Sequence, residues 1–198
     1  MNDILFIRHA ETDMAGTFCG HSDPELNPKG MNQLTELLQL LRKEDNIDTV
    51  YTSDLRRAHT TATTIAREFN VSCHVSSALR EINFGQWEGL TWKEIELKDP
   101  IYSRLWTKEY PNLPAPGGES FCDFECRVLD KVNRLVTKAE TAHSSIAVVA
   151  HAGVLRIVLT KLQGYSEELA WTLTKSYCSV VRYTNADAHN ETERGKGT

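Results

Sequence analysis

Short β-branched runs alternate with amphipathic helical stretches along most of this chain, and that alternation constrains the fold more than any other feature. Residues 4–7, 49–52, 71–75, 145–150 and 177–183 carry the compact apolar runs of buried strands. Between them Leu34, Leu37, Leu38 and Leu41 recur at helix spacing after Asn27-Pro28, an N-cap followed by proline at the first helical position. Ser53 is placed to cap a helix starting near Asp54, and Thr91-Trp92-Lys93-Glu94 fits a capping box. Phe121, Phe124, Val128, Val132 and Leu135 form one stripe of a long helix, and residues 153–162 read as another. The pattern predicts an α/β fold, a three-layer α/β/α sandwich around a mostly parallel central sheet. One domain over residues 1–184 is expected, followed by a polar tail at 185–198 without apolar periodicity.

Composition removes several function classes. A chain of 198 residues buries roughly 70% of its unfolded surface, so it needs no disulfide framework. Its five cysteines, Cys19, Cys73, Cys122, Cys126 and Cys178, are scattered without a C-x-x-C pair. Cys122 and Cys126 stand one helical turn apart and read as semi-buried helix residues, so no metal site is expected. The formal net charge of −5 disfavours a nucleic-acid partner. No apolar run approaches the ~20 residues of a membrane span. No basic segment with a long hydrophobic stretch opens the chain, and the expectation is a cytoplasmic protein.

In open parallel sheets, ligands bind beyond the carboxyl ends of the strands. Arg8-His9 follows the first strand, His151 follows a later one, and Arg57 lies in the first turn after another. Two guanidiniums and two imidazoles make a compact nest suited to a phosphoryl group. A neutral imidazole in line with the phosphorus can attack it, giving a phosphohistidine, and the leaving alkoxide then needs a proton. Glu81, near Phe84 and Trp87 and preceded by Arg80, is a candidate donor, though a solvated surface carboxylate is the competing reading.

Several blocks together resemble one known family. Arg8-His9-Ala10-Glu11-Thr12 is similar to the R-H-G-E-T signature of the histidine phosphatase superfamily, also called phosphoglycerate mutase-like. Ser53 to Ala58, Leu79 to Gly89, Gly117-Gly118-Glu119-Ser120 and His151-Ala152-Gly153 resemble its further blocks in the same order. The resemblance covers about residues 3 to 184. It implies that His9 is the nucleophile, that Arg8, Arg57 and His151 bind the phosphoryl group, and that Glu81 donates the proton, with no metal or other cofactor. Arg56 is expected to be a surface charge, and His21, His59, His74, His143 and His189 match no catalytic block.

The chain departs from the family pattern at Ala10 and Ala152, where glycine is usual, and both are expected to have ordinary backbone angles. Ala15 replaces an asparagine found in many members, leaving Thr12 or Thr17 as substitute donors. Only about 27 residues separate Gly89 from Gly117, where phosphoglycerate mutases carry a longer insertion. The short spacing looks more like the small phosphatases, the α-ribazole phosphatase type nearest among them. The expected activity is therefore hydrolysis of a small phosphorylated metabolite, with α-ribazole 5′-phosphate or a sugar phosphate as candidates. Mutase-type phosphoryl transfer and a catalytically silent phospho-ligand-binding module are the alternatives. A metal-dependent hydrolase is disfavoured because no H-x-H or H-x-x-x-H occurs. Trp92, Trp106 and Tyr110 are read either as an apolar rim for a ring-bearing substrate or as packing residues.

Overall fold

A computed structural model describes residues 4–44 and 46–183. Five strands, β1 (Ile4–Arg8), β2 (Thr49–Thr52), β3 (Ser72–Val75), β4 (Ile146–Ala150) and β5 (Val180–Tyr183), form one sheet in the order β3-β2-β4-β1-β5. β3, β2, β4 and β1 run parallel, and β5 closes the edge antiparallel to β1. The α/β sandwich expected from the alternation is what forms.

Strand periodicity explains the three layers. Ile4, Phe6, Ile146, Val148 and Ala150 face one core, while Leu5, Ile7, Ala147 and Val149 face the other. Helices α1 (Pro28–Glu44) and α2 (Arg56–Phe69) cover the second face through Leu34, Leu37, Leu41, Ala58, Ala62 and Ile65. On the first face lie α5 (Phe121–Ala142), α6 (Ala152–Ile157) and α7 (Glu167–Thr174), through Val128, Val132, Leu155 and Ala170. A smaller aromatic cluster of Phe18, Phe84, Trp87, Trp92 and Trp106 sits with α3 (Trp92–Lys98) and α4 (Pro100–Glu109) above the strand ends.

Local signals correspond to local structure with instructive exceptions. Asn27 Oδ1 accepts from Gly30 N–H at 2.7 Å, and Thr91 with Glu94 makes a reciprocal capping box. Ser53 does not cap α2, which begins two residues later than expected. Its Oγ accepts from Leu55 N–H at 3.2 Å, while the Arg56 N–H at the helix start is capped by distant Asp23 at 2.6 Å. The helix expected at 153–162 is α-helical to Ile157 and then widens into a π-turn over Val158–Leu162. The strand expected from Tyr177 starts only at Val180, because Cys178 takes a left-handed conformation at φ 56° and turns the chain. Helices α4 and α7 have no counterpart in the expectations. Asp99 caps α4 with Pro100 at its first position, so a proline that reads as a break is instead a helix start. The expected tail, 185–198, lies outside the described residues. No helix among the described residues is long and apolar enough to cross a membrane.

Leu155 is fully buried where α6 meets the sheet and α5. Leu155→Ala is expected to destabilise the fold by about 2–5 kcal/mol, read from urea unfolding midpoints.

Candidate active site

The sheet register brings the two strand-end histidines together. Arg8 pairs with Ala150 in the parallel β1–β4 ladder, and His9 N–H donates to Ala150 O at 3.0 Å, so His9 and His151 leave neighbouring strands side by side. Their ring centroids are 5.0 Å apart, edge to face. β2 flanks β4 on its other side and leads into α2, whose second residue is Arg57.

His9 Nδ1 lies 2.7 Å from its acceptor, the Ala10 carbonyl, so the proton belongs on Nδ1 and the lone pair on Nε2. Arg57 Nε–H donates to that Nε2 at 3.2 Å. Burial, then the Arg57 charge, holds His9 well below the usual 6.5, and the same two causes act on His151. Both imidazoles are therefore neutral, and the positive charge of the nest resides on its arginines.

Arg57 is completely buried, and each of its nitrogens is engaged. Nη1 donates to Ser22 O at 2.6 Å and Nη2 to Cys19 O at 3.2 Å and Gly20 O at 2.7 Å. The loop that offers these carbonyls is itself held by Glu88, whose carboxylate accepts the N–H groups of Gly20, His21, Ser22 and Phe84. Arg8 Nη1 donates to Thr174 O and Lys175 O at the end of α7, and its guanidinium lies 4.0 Å over the Tyr177 ring. Of six buried side-chain polar atoms without a partner among the described residues, three belong to this nest: Arg8 Nε and both ring nitrogens of His151. Buried polar atoms normally find partners, so these mark a place for an acceptor-rich anion.

Glu81 is 9% exposed. Oε1 accepts from Ile82 N–H and Oε2 from Gly153 N–H, both at 3.0 Å. Gly153 has to be a glycine here, since a methyl would collide with the Glu81 carboxylate and crowd Phe124. Arg127 on α5 fixes the Glu81 backbone by donating to the carbonyls of Ala78, Arg80 and Glu81 while pairing with Glu119. Asp54 and Arg80 form a two-point ion pair at 2.6 and 2.7 Å that ties the same segment to the start of α2.

These groups border a cavity of about 690 Å³. Arg8, His9 and Glu81 line it, whereas Arg57 and His151, both fully buried, are not part of its wall. Trp92, Trp106 and Tyr110 line it too, and the first two also pack in the aromatic cluster, so the two readings of these rings coexist. Thr12 and Thr17 are both in the wall. Thr17 spends its hydroxyl proton on Met14 O, while Thr12 Oγ1 accepts from Met14 N–H and keeps its own proton to donate. Cys19 is the wall's thiol, and burial raises its pKa, which opposes a thiolate nucleophile.

The remaining candidates lie elsewhere. Arg56 is exposed and pairs with Glu25. His21 does not line the cavity, and its Nε2 sits 3.1 Å from Glu81 O. His59 is exposed on α2, His74 stacks on Tyr51, and His143 is the left-handed C-cap of α5. His189 is outside the described residues. Neither Ala10 nor Ala152 has a positive φ, as expected, and Ala152 is the first residue of α6. Cys122 and Cys126 are exposed free thiols, and among the described residues no group of three or more His, Cys, Asp or Glu is placed to hold a metal ion. Sequence reasoning missed Arg156, Glu167 and Tyr177 in the cavity wall, and gave Glu88 and Arg127 no role. Glu88 stood within a quoted block, but nothing in its local sequence says that it gathers four backbone donors.

The family model for the histidine phosphatase superfamily (branch 1) matches residues 4–195. The chain belongs to the histidine phosphatase superfamily. It is 32% identical over 166 residues to a metal-independent phosphoserine phosphatase of Arabidopsis thaliana, covering 82% of this chain and 69% of that one. A bifunctional protein of Mycobacterium tuberculosis is 34% identical over 158 residues, 79% of this chain. The chain spans only 43% of that relative's length. Among solved structures, the α-ribazole phosphatase from Shigella flexneri superposes with a TM-score of 0.79 at 28% identity, covering 91% of this chain and 89% of that one.

The two buried imidazoles also set an acid limit on folding. Their native pKa lies below the unfolded value of about 6.5, so the unfolded chain binds more protons once the pH falls through that value. Above it they contribute no pH dependence, and below it they progressively destabilise the native state. The urea midpoint is expected to fall between pH 6.5 and 5, with a shallower fall in a His9→Gln/His151→Gln double variant.

Proposed function

We propose that this protein hydrolyses phosphomonoesters of small metabolites through a phosphohistidine on His9, without a metal ion. The observation that carries the reading is the set of buried, unpartnered groups beside a neutral imidazole: Arg8 Nε and the two His151 nitrogens next to His9 Nε2. Phosphoryl oxygens supply the acceptors that Arg8 Nε–H and the single N–H of the neutral His151 ring lack. The His9 Nε2 lone pair attacks phosphorus in line, the ester P–O bond breaks, and Glu81 gives its proton to the departing alkoxide. Water then attacks the phosphohistidine, Glu81 takes the proton, the P–N bond breaks and inorganic phosphate leaves. Arg8 and Arg57 neutralise the charge that develops on the transferring group, and His151 donates to it. Arg57 reaches the phosphoryl group by exchanging its Nε–H···Nε2 bond to His9 for a phosphoryl oxygen, which frees the attacking lone pair.

The alcohol is held by the rest of the cavity. Phe18, Trp92, Trp106 and Tyr110 offer an aromatic wall, which by itself suits an alcohol with a ring such as that of α-ribazole 5′-phosphate or a sugar phosphate. The α-ribazole and phosphoserine phosphatase names among the relatives support a small phosphorylated substrate. Residues 1–184 are read as one domain, supported by a single sheet on which both helical layers pack. All five cysteines are free thiols, which supports a reducing cytoplasmic compartment.

Phosphate release from a panel of phosphorylated metabolites, in excess chelator, tests the reading. The parent protein is expected to turn over at least one compound, and His9→Ala none, with no acid-labile phosphoenzyme; substantial activity in the variant overturns it. Glu81→Gln is expected to slow alkyl phosphates by ~10²–10⁴-fold and a nitrophenyl ester far less, because nitrophenolate leaves with little proton help. Equal losses would mean that Glu81 only binds.

A further inference from the structure

We propose that Arg156 selects phosphoesters whose alcohol carries a carboxylate. The inference rests on the phosphatase reading and sharpens its substrate class. Arg156 lies on α6, five residues beyond His151, and lines the same cavity as His9 and Glu81. Its guanidinium is held in advance: Nε donates to Thr174 Oγ1 at 3.1 Å, and the plane lies 3.7 Å from the centroid of the Trp171 ring.

The contrast with Arg127 separates a ligand-binding arginine from a structural one. Arg127 spends every guanidinium nitrogen on protein acceptors, whereas Nη1 and Nη2 of Arg156 have none among the described residues. A guanidinium fixed by its Nε and one face offers those two terminal nitrogens as a fork, the geometry that a carboxylate accepts at two points. Burial lowers its pKa, so a bound anion would offset the cost of keeping the charge there.

Charge in the surrounding wall favours a carboxylate over a second phosphate. Among the described lining residues Arg8 and Arg156 are the only arginines, no lysine is present, and Arg8 belongs to the phosphoryl pocket. Glu167 lines the cavity one turn before Trp171 on α7, and its charge acts on Arg156 without a direct ion pair among the described residues. A dianion seated on Arg156 would repel Glu167 with twice the charge of a monoanion, and the single cation of Arg156 offsets the monoanion more fully. Neither α-ribazole 5′-phosphate nor a neutral sugar phosphate supplies such a group, so Arg156 favours acid-bearing esters over both.

The decisive pair is 3-phosphoglycerate and glycerol 3-phosphate, which differ by a carboxylate in place of a hydroxymethyl group. The parent is expected to prefer the acid in kcat/KM, and Arg156→Gln to collapse that preference by roughly 10- to 100-fold. Equal losses on both esters would show that Arg156 supports the fold alone and would overturn the proposal. A larger loss of preference for fructose 1,6-bisphosphate over fructose 6-phosphate would overturn it in favour of a second phosphate. Calorimetric affinities of the first pair for His9→Ala, with and without Arg156→Gln, decide the point without turnover. If the parent hydrolyses no ester, the phosphatase reading fails, while an Arg156-dependent affinity for the acid still upholds the carboxylate contact.

Discussion

The parallel pairing of β1 with β4 is the contact on which the site depends, because it sets Arg8 opposite Ala150 and thereby delivers His9 and His151 to the same place. The two strands are far apart in sequence and are buried on both faces, so their register is pinned by two cores at once. A one-residue slip would exchange Phe6 and Val148 with Ile7 and Val149, and every side chain would meet the wrong helical layer. The rigidity that keeps the apolar alternation in register also keeps two imidazoles at 5.0 Å.

Around that fixed pair, the arginines and the carboxylate are held by hydrogen bonds from loops. Arg57 is threaded through the carbonyls of Cys19, Gly20 and Ser22, and Glu88 ties that loop through three of its N–H groups and joins it to Phe84 N–H. Glu81 is framed by Arg127, by the Asp54–Arg80 pair and by the bare backbone of Gly153. Orientation is established before a ligand arrives, which limits the reorganisation left for the reaction itself. Arg8 Nε and both His151 nitrogens are still unsatisfied where a phosphoryl group would sit, and the free guanidinium edge of Arg156 lines the same cavity.

Much of this was legible in the order of residues. Short continuous apolar runs marked the buried strands, period 3.6 marked α1 and α5, and the caps at Asn27 and Thr91 stood where their side chains bond. The candidate residues were legible because strand ends in a parallel sheet open onto one crevice, so histidines at two such ends and an arginine after a third had somewhere to converge. Less legible were α4, concealed by a proline that starts it, and α2, whose first turn is capped by Asp23 from a distant loop where Ser53 had been expected.

By itself the sequence determined the α/β sandwich and the family, because periodicity, caps and ordered motifs are written in near neighbours along the chain. Only the tertiary structure decided that His9 holds its lone pair on Nε2, that Arg57 is locked by loop carbonyls and that Arg156 is not. Those outcomes depend on which distant acceptors lie within about 3 Å of a given nitrogen. Spacing along a chain does not encode such distances until the sheet has closed.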